Sequence, residues 1–467
     1  MKNVALHNLG CKVNSYEIEV MQQKLSENGY SIVPFAPGAD IYIINTCTVT
    51  NIADRKSRQM LHKAKKMNPN AVVVAVGCYV QTGREQIEMD ECIDLAVGNN
   101  RKKDIVEILE AFLKERTEKA NGSDKTLQDT TIVDINHTDE YEEMQLYTTA
   151  EHTRAYIKIQ DGCNQFCTYC IIPYARGRVR SRKQEDVLTE IRGLVENGFK
   201  EVVVTGIHVS SYGLDFLKKD TGDYLEGIGD IREAVYKQEF LLKLLEEMQR
   251  VEGLERIRLG SLEPRIITER FAKRLSELTK ICPHFHLSLQ SGCDSVLKRM
   301  NRHYSAEEYF EKVQILRKYF ESPAITTDII TGFPQETEEE FAQTVEFVKR
   351  INFYETHVFR YSKRQGTPAA NMTGQLTDAI KAQRSDVLLA LAKKNGRAFR
   401  EQFVGQKLEV LLEEQKKIDG KLYMTGHTKE YVQVALETKE DLSNQIIKGS
   451  AIGFLTEDIL LLNFLDR

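Results

Sequence analysis

Residues 161–182 read DGCNQFCTYCIIPYARGRVRSR and bring three cysteines, Cys163, Cys167 and Cys170, into one short stretch. Three thiols at this spacing in a loop can hold three corners of a four-iron cluster and leave the fourth iron without a protein ligand. Structural zinc is the alternative, although such sites usually have four protein ligands and this loop contains no fourth Cys or His. The stretch therefore predicts a metal centre with an open coordination position.

The part of the chain around this loop, residues 148–400, alternates strand-like and helical patterns. The six strand candidates are YIKIQDG, EVVVTGIH, RIRLGSLEP, HFHLSLQSG, ITTDIITGFP and THVFRYSKRQGTP. Six such units predict a complete or partial (β/α)6 barrel, whose active site lies at the carboxyl ends of the strands. The cysteine loop follows the first strand, so it falls on that face.

A second α/β region occupies residues 1–116. Its continuous apolar runs, NVALHNLG, IYIINTC and VVVAVGC, alternate with helical patterns and predict a doubly wound parallel sheet. Cys11, Cys47 and Cys78 each follow one of these strands, at the edge where open α/β sheets bind ligands. Three buried structural thiols are the alternative, but the shared position favours a second metal centre, either an iron–sulfur cluster or zinc.

Two further segments complete the predicted domain organisation. The segment 117–147 is acidic, with eight acids against two lysines up to residue 144, which predicts an exposed linker or an irregular edge. Residues 401–467 contain four or five short strand-like runs, which predict a small β-barrel.

Composition excludes several classes of protein. Of the 467 residues 41% are hydrophobic, yet no apolar run reaches the length of a membrane span. The N-terminus lacks the basic and apolar regions of a signal peptide, so we expect a cytoplasmic protein with no membrane partner, whose nine cysteines do not form disulfides. The net charge of −5 gives no global basic field, but residues 151–183 carry seven basic against two acidic residues.

Several motifs outside the cysteine stretch narrow the assignment. They are LGCKVNSYEIE, INTCTVTNIADRKSRQ, VGCYVQ, IIPYARGRVRSR, VVVTGIHVSSYG, SLEP, HLSLQSGCDSVLKRMNR and TDIITGFPQETEEEF. With GCNQFCTYC on a barrel, they resemble the radical S-adenosylmethionine (SAM) enzymes, and among these the methylthiotransferases, essentially from Lys2 to the C-terminus. TGIHVSSYG and LSLQSGCDSVLKRMNRHY are most similar to the bacterial subfamily that acts on threonylcarbamoyladenosine in tRNA. The C-terminal barrel resembles the TRAM domain, an RNA-binding barrel of the OB type.

The resemblance implies two 4Fe-4S clusters with three cysteine ligands each. The radical-generating cluster would use Cys163, Cys167 and Cys170, and the auxiliary cluster Cys11, Cys47 and Cys78. One SAM would donate a methyl group, and another would generate the radical that removes hydrogen from C2 of the adenine at position 37 of tRNA, where a methylthio group is then added. An external electron donor and a sulfur source would be required. Because the cofactors carry this chemistry, no catalytic residue is assigned beyond the cluster ligands.

Side chains at the strand ends of the barrel are the candidate SAM contacts. They are Tyr169, between two cluster cysteines, and Gly206, His208, Ser261, Glu263, Gln290, Ser291, Asp328 and Gly332. Glycines allow close backbone approach, and Glu263 or Gln290 could bond the ribose or the methionine ammonium. Local core for Tyr169 and an ordinary turn at Gly332 are the alternatives.

The three remaining cysteines, Cys92, Cys282 and Cys293, have no partner pattern and are expected to be buried thiols. Many relatives carry a small residue such as Ser at the position of Cys293, so this cysteine is interpreted as a packing substitution.

Basic and aromatic residues near the cysteine loop and in the C-terminal barrel are the candidate tRNA contacts. They are Arg176, Arg178, Arg180, Arg182 and Lys183 near the loop, and Lys407, Lys421, Tyr423, His427, Lys429 and Tyr431 in the barrel. Such residues can track a phosphate backbone and stack on bases. A solvated surface is the alternative for the barrel, because acids are interspersed.

Other functions remain open at this point. Isopentenyladenosine in tRNA and an aspartate of a ribosomal protein are alternative targets within the same family. A noncatalytic iron–sulfur electron carrier or an RNA-binding protein is an alternative of another class. An electron carrier needs neither an open iron nor a barrel of six units, which favours the enzyme.

Overall fold

The computed structural model describes residues 2–119, 131–148, 153–221 and 239–464. Within these ranges the chain forms an N-terminal parallel sheet, a central open barrel and a C-terminal closed barrel. None of the helices in these ranges has both the length and the apolar character that a membrane span requires. The predicted fold class is confirmed.

The N-terminal domain is a parallel sheet with helices on both faces. Its strands are β1 (Asn3–Asn8), β2 (Ser31–Val33), β3 (Ile41–Thr46), β4 (Val72–Gly77) and β5 (Leu95–Val97). Its helices are α1 (Lys12–Glu27), α2 (Asn51–Met67), α3 (Cys78–Thr82), α4 (Arg84–Glu88) and α5 (Ile105–Lys119). The strand order is β2-β1-β3-β4-β5. Ile43 of β3 packs with α1 and Tyr42 packs with α2, so both faces are covered, as the continuous apolar runs predict.

The three central strands of this sheet end in register. Asn8 pairs with Asn45 of β3, and Asn45 pairs with Val76 of β4. Cys11, Cys47 and Cys78 follow two or three residues beyond that line. The register therefore places all three cysteines at one edge of the sheet.

The central domain begins with the strand that precedes the cysteine loop. Its strands are β6 (Arg154–Asp161), β7 (Arg180–Ser181), β8 (Glu201–Gly206), β9 (Arg256–Leu259), β10 (His284–His286), β11 (Ala324–Thr331) and β12 (Glu355–Arg360). Its helices are α6 (Ile172–Arg176), α7 (Gln184–Glu196), α8 (Leu214–Thr221), α9 (Phe240–Gln249), α10 (Glu269–Ser276), α11 (Asp294–Arg299), α12 (Ala306–Tyr319), α13 (Glu338–Ile351) and α14 (Asp378–Glu401).

Six parallel strands of this domain form a curved, open barrel. β6, β8 and β9 pair in parallel, with β7 antiparallel at the edge, and β10, β11 and β12 form a second parallel sheet. Single bridges from Ile257 to Ile281 and from Leu262 to Leu287 join the two sheets. Within the described ranges, β12 does not pair with β6, so the barrel stays open on that side.

Helix starts in this domain follow signals that are visible in the sequence. Ser305 before α12 and Thr337 before α13 each accept a hydrogen bond from the backbone three residues on. Glu308 and Glu340 each accept a bond in return from the backbone of the capping residue, which completes a capping box at each helix.

The C-terminal domain is a closed five-stranded barrel. Its strands are β13 (Lys407–Ile418), β14 (Lys421–Thr428), β15 (Gln433–Glu437), β16 (Ile446–Phe454) and β17 (Leu460–Phe464). They close in the order β13-β14-β15-β17-β16, and positions 465–467 lie outside the described residues. Arg256 donates to the carbonyl of His427 and Arg258 to that of Lys429, at 3.0 and 2.8 Å, so two buried arginines dock this barrel on the central domain.

The acidic segment is described only in part, since positions 120–130 lie outside the described residues. From residue 131 to residue 147 the backbone is irregular, but Met144 and Leu146 are buried. The Tyr16 hydroxyl of α1 donates to the carbonyl of Met144 at 2.6 Å. An exposed linker does not describe residues 131–147, because their few apolar side chains pack into the core. The boundaries at residues 116, 147 and 400 stay a prediction.

Candidate functional site

Three cysteines meet at the carboxyl edge of the N-terminal sheet. Cys11 caps α1, Cys47 follows β3, and Cys78 begins α3 directly after β4. A Cβ added to Gly10 would lie 3.1 Å from the Cβ of Cys47, so the two loops are in close contact. Burial is the main cause that raises the pKa of Cys47, and the neighbouring thiols of Cys78 and Cys11 raise it further, so the three sulfurs lie within electrostatic range of one another. We call this group the sheet triad.

The second group, the loop triad, consists of Cys163, Cys167 and Cys170 after β6. The amide of Cys163 donates to the carbonyl of Gly177, and that of Cys170 to the carbonyl of Cys167, at 3.0 and 2.9 Å. Arg302 Nη1 lies 3.3 Å from Cys167 Sγ and donates to it. The loop is thus wound by its own backbone bonds and held from outside by a guanidinium directed at a sulfur.

A glycine with positive φ precedes one cysteine of the loop triad and two of the sheet triad. Gly10, Gly77 and Gly162 have φ angles of 122°, 97° and 72°. A Cβ at Gly77 would lie 2.6 Å from Asn45 Oδ1, and one at Gly162 would lie 1.8 Å from the carbonyl oxygen of Arg178. Only glycine fits these turns. The repeated Gly-Cys pairs in LGC, VGC and DGC are therefore a sequence signal for the two triads in addition to the cysteine spacing.

Four of the six thiols, Cys11, Cys47, Cys163 and Cys170, are held in surroundings that disfavour their charged form. Burial raises the pKa of Cys47 to about 11 and that of Cys163 to about 12, and it also raises the pKa of Cys170. A thiolate in either triad therefore needs a compensating cation. Three sulfur donors with no disulfide partner form a set that fits an iron–sulfur cluster, whose iron ions supply that compensation.

The two triads are joined by a buried arginine. Arg176, at the end of α6 after the loop triad, is fully buried. Its guanidinium donates to both carboxylate oxygens of Glu17 in α1 at 2.8 and 3.0 Å, and to Asn14 Oδ1 at 2.8 Å. It also donates to Asp161 at 3.1 Å. Cys11 of the sheet triad is the N-cap residue of α1, and Glu17 and Asn14 lie on the same helix. Arg176 therefore connects this helix to the segment that follows the loop triad.

Two lysines extend this contact into what we call the junction network: Glu17, Lys102, Lys158, Asp161 and Arg176. Lys158 Nζ lies 2.9 Å from Glu17 and 2.6 Å from Asp161, and Lys102 also bonds to Glu17. The side chains are all buried, and two carboxylates face three cations from two domains. Asn99 adds a direct link, since its amide donates to the carbonyl of Ala175 at 2.7 Å and to Cys78 Sγ at 3.6 Å.

The interior of the open barrel is polar where it faces the start of α1. His286, Asp328 and His357 each offer a ligand atom, and these atoms lie within 4.8 Å of one another. Lys12, next to Cys11, is within electrostatic range of Asp328. Lys12 and His357 are both exposed to solvent, although desolvation by the surrounding protein lowers the pKa of Lys12 to about 8. These residues therefore form a polar, partly exposed region near the sheet triad, which we call the cleft.

Comparison with known proteins identifies the family. Residues 157–348 match the radical SAM superfamily, and residues 3–98 match a family described as uncharacterized protein family UPF0004. The chain is 40% identical to the threonylcarbamoyladenosine tRNA methylthiotransferase MtaB of Bacillus subtilis, over 96% of this chain and 93% of that protein. The MtaB of Aquifex aeolicus is 37% identical, over 92% of this chain and 98% of its own. The chain belongs to the radical SAM methylthiotransferase family.

Two further comparisons place this methylthiotransferase among its neighbours. The tRNA-2-methylthio-N(6)-dimethylallyladenosine synthase of Acetivibrio thermocellus is 32% identical, over 96% of this chain and 88% of that protein. The solved structure of the radical SAM methyltransferase TsrM from Kitasatospora setae superposes with a TM-score of 0.53, covering 90% of this chain and 79% of its own. At 14% identity that likeness concerns the fold alone. Methylthiotransferases use SAM and two 4Fe-4S clusters, and the two triads supply fitting ligand sets.

Three of the predicted SAM residues lie at strand ends near the loop triad. His208 bonds through its amide to Gln160 Oε1 at 2.7 Å, and its Nε2 lies 3.5 Å from Gln165 Nε2 in the cluster loop. Burial lowers its pKa to about 4, so the imidazole is neutral. Gly206 ends β8 beside Gln160, and Ser261 is exposed at the strand end after β9.

Of the other predicted SAM residues, Asp328 has a carboxylate oxygen within 4.8 Å of ring nitrogens of His286 and His357 in the cleft, and the next four fall into two groups. Glu263 is buried in an ion pair with Arg265, and Gln290 holds a left-handed backbone with φ of 73° while bridging to β11. In contrast, Ser291 lies 3.2 Å from Thr344 of α13, and the amide of Gly332 donates to Glu336 at 2.8 Å. Ser291 therefore contacts a helix of the outer layer, and Gly332 lies against Lys381 of α14, where an added Cβ would be 2.4 Å from Lys381 Cγ.

Tyr169 packs in an apolar cluster with Cys293, Phe333 and Tyr361, the environment that the local-core alternative describes. Cys282 and Cys293 are buried as predicted. Cys92 is only half-buried and lies beside His62 and Asp90, so the prediction of a buried thiol was wrong there.

The prediction of a basic RNA surface after the cysteine loop was wrong for three arginines. Arg176, Arg180 and Arg182 are at most 1% exposed. Arg176 belongs to the junction network, and Arg182 pairs with Glu190. Glu17, the partner of Arg176, is distant in sequence, and Glu190, the partner of Arg182, carries no motif, so a local charge count could not identify them. Arg178 is half-buried and Lys183 is exposed.

In the C-terminal barrel the predicted RNA contacts divide in the same way. Lys407 and Lys421 are exposed, whereas Tyr423 is buried and is therefore not a stacking platform. Lys429 donates to the carbonyl of Thr279 at 3.2 Å, across the contact with the central domain. His427 and Tyr431 stack on each other with ring centroids 4.4 Å apart, and Tyr431 lies under Arg258 at the same contact.

Sequence reasoning missed several residues of the site. Arg302, Asn99 and Glu17 carry no motif that marks their role, and Lys12 stands out only because it adjoins Cys11. Their function follows from contacts between parts of the chain that are distant in sequence.

Proposed function

We propose that this protein adds a methylthio group to C2 of N6-threonylcarbamoyladenosine at position 37 of tRNA, with SAM as methyl donor and radical source. The junction between the two triads is the observation that carries the proposal. Arg176 and Asn99 tie the support of the loop triad to that of the sheet triad. Two clusters built on these triads would thus face a common space, as transfer from one centre to a substrate activated at the other requires.

The residues of this chain hold and orient the groups that react. When bound, SAM and the two clusters would supply the radical, the methyl group and the sulfur. The sheet triad and the loop triad provide three thiolates each, and Arg302 offsets negative charge at Cys167. His208, Glu263, Gln290, Gly206 and Ser261 at the strand ends are the proposed SAM side of the cleft.

The tRNA would be held by the predicted basic residues that are exposed or half-buried. Lys183 and Arg178 lie near the loop triad, and Lys407 and Lys421 lie on the C-terminal barrel. The target base must leave its stack to reach the cleft, at a cost of a few kcal/mol that phosphate contacts can offset. We place the enzyme in the cytoplasm with tRNA, and it would draw on an external electron donor and a sulfur source there.

The threonylcarbamoyl target is favoured over the alternatives by two observations. The relatives named for it are 40% and 37% identical, against 32% for a relative named for dimethylallyladenosine. The cleft beside the sheet triad is lined by Lys12, Asp328 and His357. A polar lining suits a charged, hydrogen-bonding substituent better than an apolar dimethylallyl group.

Nucleoside mass spectrometry of tRNA tests the proposal. A deletion strain should lack 2-methylthio-threonylcarbamoyladenosine and accumulate its unthiolated precursor. Complementation with the wild-type gene should restore the product, whereas a gene encoding Cys163→Ala should not. An unchanged content of this nucleoside in the deletion strain, with loss of the dimethylallyl counterpart, would transfer the assignment to the other tRNA target.

A further inference from the structure

The cleft beside the sheet triad contains one cation without a partner. Lys12 makes no hydrogen bond or ion pair with any residue in the described ranges. Arg154 and Arg258, which lie within its electrostatic range, are engaged with Glu413 at 3.4 Å and Glu201 at 2.7 Å. The Lys12 ammonium is therefore the group in this cleft that is available to an anion.

The two histidines across the cleft differ in whether other residues engage their ring nitrogens. His286 Nδ1 lies 3.0 Å from Thr326 Oγ1 in a hydrogen bond, whereas its Nε2 lies 3.3 Å from Asp328 Oδ2 without making a hydrogen bond. His357 stacks on His286 with ring centroids 5.8 Å apart, and no hydrogen bond engages its ring among the described residues. His357 therefore has a free donor that faces the same cleft as Lys12.

The strand that carries His357 leaves this face open. Val358 and Thr356 point toward the packed side of β12, whereas His357 and Phe359 point to the other side and are exposed. Phe359 is 49% exposed, although large apolar side chains are usually buried. An aromatic face beside polar groups is suited to a heterocyclic base.

The charges favour an anion over a metal ion. His286, Asp328 and His357 resemble a set of metal ligands by geometry. However, the Lys12 ammonium lies within electrostatic range of Asp328 and would repel a divalent cation held there. The same positive charge attracts a carboxylate.

A threonylcarbamoyl group carries the matching chemistry: one carboxylate, one hydroxyl and the N–H of its threonine part. A dimethylallyl group carries none of these. We propose that Lys12 and His357 bind the carboxylate of the threonylcarbamoyl substituent, while Asp328 accepts a hydrogen bond from its hydroxyl or an N–H. This subsite rests on the proposed function and adds the residues that select its substrate.

The test uses anaerobically reconstituted full-length enzyme and two synthetic anticodon stem-loops. They carry threonylcarbamoyladenosine at position 37 with the carboxylate either free or converted to the carboxamide. Wild type should prefer the free acid in kcat/KM by roughly tenfold to a hundredfold, the worth of a charge-assisted hydrogen bond. Lys12→Gln should remove most of this preference, mainly through a higher KM for the acid, and Lys12→Arg should retain it.

Controls separate this role from general effects. Lys56→Gln, an exposed lysine of α2, should leave the preference unchanged, because a phosphate contact would serve both stem-loops alike. His357→Ala should also lower the preference for the free acid. This variant remains informative if Lys12→Gln impairs iron incorporation, because His357, unlike Lys12, is not next to a cluster cysteine in the sequence. Formation of methylthio product by the wild-type enzyme from the free-acid stem-loop supports the proposed function, whatever preference the variants show. A full preference for the acid in both Lys12→Gln and His357→Ala would refute the subsite, as would equal use of both stem-loops by wild type.

Discussion

Replacement of Arg176 by Met should destabilise the protein and uncouple its two reactive centres. The guanidinium makes four contacts within 3.1 Å, to Glu17, Asp161 and Asn14, and it is fully buried. Loss of one member of a buried ion pair usually costs about 3–5 kcal/mol. The lower end applies here, because Lys102 and Lys158 still face the two carboxylates after the change. We therefore expect a decrease of about 3 kcal/mol in the free energy of unfolding.

The reverse change, Glu17→Gln, should cost more. It would leave three buried cations against the single carboxylate of Asp161, and none of the three cations would keep its ion pair with Glu17. We expect about 5 kcal/mol, the upper end of the range for a broken buried pair. Arg178→Met is the matched control, because this half-buried arginine mainly lies over the Phe166 ring at 4.5 Å and should cost roughly 0.5–1 kcal/mol.

Urea unfolding followed by far-ultraviolet circular dichroism measures these decreases in stability, since the chain contains no tryptophan for fluorescence. The second readout is the ratio of methylthio product to 5′-deoxyadenosine, which should fall in Arg176→Met because the supports of the two triads are no longer tied together. A shift below about 1 kcal/mol, far under the range for a broken buried pair, with an unchanged ratio would refute the coupling. Equal destabilisation in Arg176→Met and Arg178→Met would show that the network has no special role.

Three further outcomes test the clusters and the tRNA contacts. Reconstituted protein should contain about eight iron atoms per chain. A variant with Ala at Cys163, Cys167 and Cys170 should keep about half of this iron and form no 5′-deoxyadenosine. If this variant still cleaves SAM, the loop triad does not hold the radical-generating cluster. Cys47→Ala should form 5′-deoxyadenosine but no methylthio product, so wild-type levels of both would make Cys47 a structural thiol. The double change Lys407→Glu and Lys421→Glu should weaken tRNA binding. It should also reduce the slope of log affinity against log salt concentration by about one unit for each phosphate that is no longer neutralised. Unaltered affinity would exclude this face of the barrel as a tRNA-binding surface. These point changes are preferable to deletion of residues 403–467, which would expose the buried Arg256 and Arg258.

The cysteines show which parts of the site could be predicted from sequence. The loop triad is local, so its spacing alone indicates a metal centre. The sheet triad could be predicted because parallel strands end at a common edge, and the register from Asn8 through Asn45 to Val76 confirms that edge. The spacing of apolar residues likewise predicted the fold of each of the three domains, because helical and strand periodicities are local properties of the sequence.

The arginines after Cys170 show what only the tertiary structure decided. In sequence they form a basic run, but Arg176 meets Glu17 across 159 positions and Arg182 meets Glu190 on α7. Whether a charge faces water or a buried partner depends on desolvation and on pairing, and both are set by residues that the fold brings together from elsewhere in the chain. The same reason applies to Lys12, which is an ordinary lysine in the sequence. It becomes a candidate substrate contact only because the fold places it opposite Asp328 and leaves it without a partner among the described residues.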